Sequence, residues 1–195
     1  MAVSKKGGTE KSKVALVGQL GISGLKRSAG VIDEEFLPTL RGGKAYKVYS
    51  EMASNDPVIG AMLFAINALA RQVDWNVQPV DDSEKAQEDA DFVDSVLHDM
   101  DTSWDDVVSE CLTMLPFGFA PLEIIYKRRD GMDSQDPQRK SRHSDGRFGL
   151  CKLELRAQDT IFSWEFDDNG QLLGFTQQDP YTARNAYIPL ERSML

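Results

Sequence analysis

Residues 55–80, NDPVIGAMLFAINALARQVDWNVQPV, contain the signals that decide the fold. Asp56 before Pro57 is a capping residue followed by proline at the first helical position, which predicts that a helix begins there. Apolar residues then recur at three- and four-residue spacing through about Arg71, as in a helix with one buried face. The buried stripe is expected to carry Ile59, Leu63, Ile66 and Leu69.

The segment after this helix has the pattern of a strand. Val73, Trp75 and Val77 alternate with polar residues until Pro79, which is the period-two pattern of a half-buried strand. We expect the helix stripe to pack on the Trp75 face of this strand. An aspartate in place of Ile66 would then bury an unpaired carboxylate, which costs several kcal/mol and should unfold the domain.

Upstream of the helix, the sequence divides into an arm and a short helix. Residues 1–43 are expected to be a flexible N-terminal arm. The first thirteen carry four lysines among Gly, Ser and Thr, with too few apolar side chains to offset the entropy of ordering. Within the arm, the apolar stretch from Val31 to Leu37 is a candidate for docking on a neighbour. The spacing of apolar residues from Lys44 to Ala53 predicts a short amphipathic helix.

The stretch from Asp81 to Glu110 is the most acidic part of the chain. It contributes −11 to a net charge of −9, because its twelve acids are accompanied by Lys85 alone. Such a stretch repels nucleic acid. Asp81 or Asp82 is expected to cap a helix that runs to about Met100 with its acids outward. The inward face of that helix is expected to carry Ala86, Ala90, Val93, Val96 and Leu97.

A further helix should follow this acidic one. Ser103 and Asp106 have the spacing of a capping box, and Pro116 and Gly118 are expected to end the helix. The residues expected to face the core are Val107, Val108, Cys111, Leu112 and Leu115.

Residues 122–127 and 148–155 should pair as a hairpin around a long polar insertion. The insertion, from Arg128 to Gly146, lacks apolar periodicity and is expected to be mobile and dispensable for folding. We interpret its basic residues as part of a solvated loop rather than a nucleic-acid contact, because no aromatic residue lies between them.

Residues 161–166 and 172–177 predict a second, tighter hairpin. The Asn169-Gly170 pair between them favours a type I′ turn, in which both central residues have positive φ. Helices therefore precede a run of antiparallel strands. This order is typical of an α+β domain, which we place at residues 44–195.

The sequence shows no catalytic, cofactor-binding or metal-binding motif. Glycine-rich phosphate loops, nucleophile elbows and HExxH are absent. Cys111 and Cys151 are interpreted as buried or incidental thiols, and His98 and His143 as solvated side chains. We therefore expect no catalytic residue, no cofactor and no metal. Three pairs of adjacent acids are interpreted as cap and turn residues rather than magnesium ligands: Asp81 and Asp82, Asp105 and Asp106, and Asp167 and Asp168.

The length and position of the apolar runs favour a soluble protein. No apolar run approaches the roughly 20 residues that span a bilayer, and the N-terminus lacks the apolar block of a signal peptide. The protein is therefore expected to stay in a cytoplasm, without membrane contact.

Six aromatic residues are expected to pack in the core or at a subunit interface: Trp75, Trp104, Phe117, Phe119, Trp164 and Phe166.

Five segments in order resemble the N-terminal part of Mu-like bacteriophage portal proteins. YKVYSEMASNDPVI (46–59) and VDWNVQP (73–79) are similar to the family's "D-P-x-I" helix start and "W-x-V-x-P" strand. Phe92-Val93 and WDDVV (104–108) come next, before GFAPLEIIY (118–126), which resembles "G-F/Y-x-x-x-E-I-x-Y/W". LRAQDTIF (155–162), FDDNGQLLG (166–174) and IPLER (188–192) complete a resemblance that covers about residues 44–192.

This resemblance implies a structural virion protein rather than an enzyme. The α+β domain would correspond to the wing region of a portal subunit. The family forms a ring, typically of about twelve copies, at one vertex of the capsid. The implied partners are further copies of the chain, the terminase large subunit, and capsid and head-tail connector proteins. Double-stranded DNA would pass through the ring with weak, non-specific contacts, and assembly would take place in the bacterial host cytoplasm.

Family members continue into a "G-N-P-x-G" turn and further helices, which this sequence does not contain. We therefore expect the chain to be a truncated frame or a fragment that lacks the stem and clip. Two alternatives stay open: another phage head or connector structural protein, and a small phage-encoded hydrolase or nuclease. An enzyme should lose its activity when one acid or histidine is changed, whereas a structural protein should be affected only through folding or assembly.

Overall fold

The computed structural model describes residues 24–32, 35–41 and 43–195. Its helices are Gly43–Asn55 (α1), Pro57–Ala70 (α2), Glu84–Leu97 (α3), Trp104–Cys111 (α4) and Met114–Phe117 (α5). Its strands are Arg27–Ser28 (β1), Val31–Ile32 (β2), Leu122–Arg128 (β3), Phe148–Leu155 (β4), Ile161–Phe166 (β5), Leu172–Gln178 (β6), Asn185–Pro189 (β7) and Ser193–Met194 (β8). Short 3₁₀ helices lie at Pro38–Leu40, Pro137–Arg139, Gln158–Thr160 and Leu190–Arg192. The main helices precede antiparallel sheets, which confirms the α+β class.

The two helices that the sequence predicts over residues 44–53 and from Pro57 are present as α1 and α2. The carboxylate of Asp56 caps α2 by accepting hydrogen bonds from the amides of Val58 (2.8 Å) and Ile59 (3.1 Å). Pro57 occupies the first helical position, where its missing amide is harmless. α2 contacts α1 more than any other element of the described fold, and at their junction Gly60 lies against the carbonyl of Ala53.

The expected buried stripe of α2 and the strand after it are both wrong. No residue of α2 is buried, and Ile66 and Leu69 are exposed. Residues 73–79 are irregular, because a strand needs a hydrogen-bonded neighbour and none of the described strands pairs with them. Trp75 is instead 57% exposed and meets Trp104 edge-on, with ring centroids 5.9 Å apart.

The cap of α3 is Ser83, not Asp81 or Asp82. The Ser83 hydroxyl accepts from the amide of Ala86, while the Asp81 carboxylate accepts from the amide of Ser83 and so organises the preceding turn. Of the inward set, Ala86, Ala90 and Val96 are buried, but Val93 is 45% exposed. The helix ends at Leu97, three residues earlier than the sequence predicts.

Ser103 caps α4 as the sequence predicts, but the return bond from Asp106 reaches the serine hydroxyl and not the serine amide, as a full capping box would require. The Ser103 hydroxyl accepts from the amide of Asp106 and donates to the Asp106 carboxylate at 2.7 Å. A short helix, α5, follows α4 and contains Pro116, so the proline does not end the helical region. Gly118 does, because its φ of 83° reverses the chain.

Two three-stranded sheets follow. The first has the order β4-β3-β8, with β3 and β4 paired antiparallel from Leu122 opposite Leu155 to Arg128 opposite Phe148. The second has the order β5-β6-β7 and is also antiparallel. A small core joins α4 to the first sheet, and its buried members are Val107, Ala120, Leu122 and Leu153.

The tight hairpin between β5 and β6 is confirmed, but its turn is not type I′. Gly170 has a φ of 85°, whereas Asn169 is not among the residues with positive φ in the described chain. The Gly170 amide donates to the carbonyl of Asp167, and the Asp167 amide donates to the carbonyl of Gln171. These bonds are typical of a three-residue loop that ends in a left-handed glycine. Such a loop needs positive φ at the glycine alone, whereas a type I′ turn needs it at both central residues.

The insertion between β3 and β4 is anchored to α3 and to the residues that follow α3, so it is not free along its whole length. Arg129, near its start, and Ser141, within it, are each 2% exposed, and the Ser141 hydroxyl donates to the carboxylate of Asp99. The expectation of mobility fails because polar anchors hold this segment, and hydrophobic periodicity cannot detect polar anchors.

The described part of the expected N-terminal arm contains ordered structure. β1 and β2 form a small hairpin on the second sheet, where the amide of Trp164 donates to the carbonyl of Gly30 at 2.9 Å. Glycine is needed there because a side chain at position 30 would meet Ser163. The lysine-rich first thirteen residues lie outside the described residues, and the boundary at residue 43 stays a prediction.

Candidate functional site

The most unusual surface of the molecule is the outer face of α2. Its fourteen residues include no charged side chain. We define the α2 ridge as Val58, Met62, Ile66 and Leu69, which share one helix face because their spacings are four, four and three residues. They are 66%, 61%, 42% and 66% exposed, respectively. A charge-free, solvent-facing helix is typical of a surface that another protein covers.

A second apolar feature is a cavity of about 260 Å³ between α1, α5 and β5. We define the aromatic pocket by six of its lining residues: Tyr46, Tyr49, Phe117, Phe119, Phe162 and Trp164. Tyr46 stacks on Phe117 with centroids 4.6 Å apart, and Phe119 meets Trp164 edge-on at 5.5 Å. The stacked and edge-on rings hold the walls in place, so the pocket is preformed.

Polar groups lie at one side of this pocket. Gln158 is buried and donates to the Thr113 hydroxyl (2.7 Å) and to the Phe119 carbonyl (3.1 Å). Asp159 is exposed at the rim. Burial, and then the negative charge of Asp159, raise the pKa of Tyr46 above its ordinary value. The Tyr46 hydroxyl therefore stays neutral, and the pocket wall is apolar with one acidic edge.

A buried charge network around Asp99 holds the insertion. Its carboxylate accepts from the Ser141 hydroxyl (2.7 Å) and from the Arg142 amide (2.9 Å). Lys127 is 3.3 Å from the same carboxylate and also donates to the Asp99 carbonyl. Burial alone would raise the pKa of Asp99, but the bonds from Ser141 and Arg142 and the charge of Lys127 lower it overall.

A second anchor lies beside the first. Arg129 is almost fully buried, donates to the Ser95 hydroxyl and pairs with Asp145 at 3.2 Å. Its guanidinium and that of Arg147 both lie over the Phe92 ring, at 5.1 Å and 3.3 Å from the centroid. Arg129 and Arg147 thus serve folding. The interpretation that the insertion is not a nucleic-acid contact stays a prediction.

In the part of the chain that the structure describes, neither cysteine is paired with a histidine. Burial, followed by the charge of Glu110, raises the pKa of Cys111. Burial, followed by the hydrogen bond and charge of Asp101, raises the pKa of Cys151. Both thiols therefore stay protonated near neutral pH. His98 is exposed and bonds to the Asp94 carbonyl of its own helix.

The adjacent acids lie at helix starts and turns. Asp81 and Asp106 bond to serines at the starts of α3 and α4, and Asp167 accepts from the Gln171 amide in the β5–β6 turn. Across residues 24–32, 35–41 and 43–195, no group of three or more His, Cys, Asp or Glu side chains is arranged to hold a metal. Nor is any described helix long and apolar enough to cross a bilayer.

The acidic segment from Asp81 to Glu110 forms a solvent-facing surface. Of its twelve acids, Asp99 alone is buried. The other eleven lie around α3 and α4, where few basic side chains neutralise their charge. Lys85 forms an ion pair with Asp89. This face repels polyanions, as the sequence indicates.

The described residues form a mixed α+β fold whose prominent surface features are an exposed apolar helix face and an aromatic pocket. A family model described as the portal protein of Mu bacteriophage matches residues 46–193, which is most of the chain. The chain therefore belongs to the Mu-like phage portal family and is a phage portal-like structural protein. This finding confirms the resemblance seen in the sequence. A comparison with curated proteins gave no match.

Three features of the site could not be anticipated from the sequence. The buried charges at Asp99, Lys127 and Arg129 have no local signature, because their partners lie 16 to 43 residues away along the chain. The aromatic pocket combines residues from separate elements. The exposure of α2 had one signal, namely a helix apolar on all sides, which is typical of an element enclosed by other protein.

Proposed function

We propose that the chain is a subunit of a phage portal ring, set at one vertex of the capsid and used for DNA packaging, DNA ejection and tail attachment. The observation that carries this proposal is the family match over residues 46–193, which extends from α1 to β8. In this proposal the protein belongs to the virion and is assembled in the bacterial host cytoplasm.

The exposed apolar surfaces support self-association. A lone chain with a charge-free exposed helix and an open aromatic pocket leaves a large apolar area in water. Burying that area between identical subunits would stabilise an assembly. A contact between two different surfaces of the same chain repeats from copy to copy and can close into a ring of about twelve subunits.

The charge distribution supports a mechanical role toward DNA. A channel must let the duplex slide, and each phosphate paired with a lysine or arginine would add salt-dependent affinity that hinders sliding. The acidic surface of α3 and the internally paired bases of the insertion favour weak, non-specific contact. The further proposed partners are the terminase large subunit and capsid and head-tail connector proteins. We propose no catalytic role.

The proposal is tested by expressing the chain as its gene encodes it, and measuring its mass under native conditions together with negative-stain images. The expected result is a closed ring of about twelve copies. Gold-labelled antibody should mark one vertex of each virion. Labelling of many sites would favour another head or connector protein instead. A strictly monomeric product, or a metal-dependent nuclease activity lost with one acid-to-alanine change, would exclude the portal function.

A further inference from the structure

The outer face of α2 can be one side of a protein interface. The α2 ridge places four large apolar side chains on one helix face, and they are 42–66% exposed. Val73 and Trp75 continue the apolar stretch beyond the helix and are 52% and 57% exposed, whereas Phe64 lies on another side of α2. A contiguous apolar face that is open to water and carries no charge is typical of a surface that another protein covers.

The charges next to the two apolar features are complementary. Arg71, one residue beyond the end of α2, is the only charged residue between 57 and 73, and Asp74 follows it between Val73 and Trp75. Asp159 is the acid at the rim of the aromatic pocket. Among the residues that the structure describes, neither Arg71 nor Asp159 forms an ion pair. Arg71 therefore places a positive charge beside the ridge, and Asp159 places a negative charge beside the pocket. These two charges would attract each other if the ridge and the pocket came together.

We propose that the α2 ridge of one copy docks in the aromatic pocket of the next copy, with Arg71 of the first facing Asp159 of the second. A cavity of about 260 Å³ is ample for a side chain such as Met62 or Leu69, since roughly 150 Å³ already accommodates benzene. The ridge and the pocket share no residue, so the contact is head-to-tail and repeats around a ring. This inference rests on the proposed function and identifies the contact on which ring closure depends.

The first test changes the ridge and measures self-association of the whole chain by sedimentation equilibrium. Met62→Glu places a charge at the centre of the ridge, where Met62 is 61% exposed in the single chain. It should raise the Kd of self-association at least about tenfold, as the loss of an interface anchor does. Its circular dichroism and thermal midpoint should be unchanged. The matched control is Tyr181→Glu, at a 95% exposed position in the turn before β7, which should associate normally.

The second test exchanges the two charges. Arg71→Asp and Asp159→Arg should each weaken association at least about threefold, because each places like charges opposite each other. Combined in one chain, the two changes should restore it, because a head-to-tail contact again pairs opposite signs. Failure of the double variant to recover would overturn the assignment of this pair.

The third test identifies the occupant directly. A photo-crosslinking residue at position 69 is introduced into an isotopically labelled chain, which is then mixed with unlabelled chain before irradiation. Crosslinks from the labelled to the unlabelled copy, at peptides containing Tyr46 or Phe162, are expected. Crosslinks confined to one copy, or ridge-to-ridge crosslinks, would overturn the proposal. Normal rings from Met62→Glu would overturn this contact alone, whereas a wild-type chain that never assembles would remove the proposed function as well.

Discussion

Asp99 shows how a single side chain holds distant segments together. It connects the end of α3 to β3 through Lys127 and to the insertion through Ser141 and Arg142. Asp99→Asn should lower the free energy of unfolding by about 3 kcal/mol, because it leaves the buried Lys127 ammonium without its strongest partner. Urea denaturation measures this. Asp101→Asn, at a 63% exposed carboxylate that faces the same lysine, is the control and should cost less than about 1 kcal/mol. Equal losses in both variants would contradict the network.

The same residue predicts a pH dependence. The pKa of Asp99 is lower in the folded state than its unfolded value of about 3.9. Its contribution to stability is therefore present at neutral pH and is lost as the pH falls below about 4, through the folded pKa. The stability difference between the wild type and Asp99→Asn should shrink over this range in urea titrations. A difference that stays constant down to about pH 2 would show that the carboxylate is not stabilised in this way.

Gly174, in β6, shows a backbone constraint. A β-carbon at this position would overlap the carbonyl oxygen of Ile188 and press on Pro189 of the neighbouring strand β7. Gly174→Ala should therefore destabilise the domain by about 1–3 kcal/mol, as overpacking does. Gly43→Ala is the control, because nothing lies within 4 Å of the added atom and alanine favours helix. Thermal denaturation of the two variants should show a lower midpoint for Gly174→Ala only.

At the scale of elements, the insertion between β3 and β4 acts as a structural clamp on α3. Replacing residues 130–146 with a short glycine-containing turn removes Ser141 and the Arg142 amide from Asp99, and Asp145 from Arg129. The free energy of unfolding should fall by about 3 kcal/mol or more, since a buried acid and a buried base lose partners. Met132→Ser, 64% exposed in the same insertion, should leave it unchanged. An unaltered denaturation midpoint in the deletion variant would show that the clamp is dispensable.

At the scale of the whole molecule, charge determines how the chain meets DNA. The net charge is −9, and two exposed arginines of the insertion, Arg128 and Arg139, are paired with aspartates within it. The chain should therefore bind duplex DNA only weakly at physiological salt, with a shallow dependence on salt concentration. Fluorescence anisotropy with a labelled duplex measures this. Tight binding with a slope equivalent to several released counterions would contradict the proposed sliding contact.

The sequence alone determined what depends on neighbours along the chain. The Asp56 cap with Pro57, the Ser103 cap, the order of helices before strands and the β5–β6 hairpin are all confirmed, because each arises from local hydrogen bonds or from periodicity. The segments that resemble the family are of the same kind, since each is a short local sequence, and the match over 46–193 confirms the family that they indicate.

Tertiary structure alone decided which apolar faces are buried. It also decided where buried polar groups, rather than apolar side chains, hold a segment in place. The pattern of α2 predicts a buried stripe, but periodicity states only that a face is apolar and not what covers it, and within the described residues no residue of α2 is buried. Residues 73–79 have strand periodicity without a strand to pair with. The insertion has no periodicity, yet Asp99, Lys127 and Arg129 fix it through contacts between residues far apart in sequence. Burial and pairing are properties of the folded chain, because both depend on what each segment meets after the rest has packed.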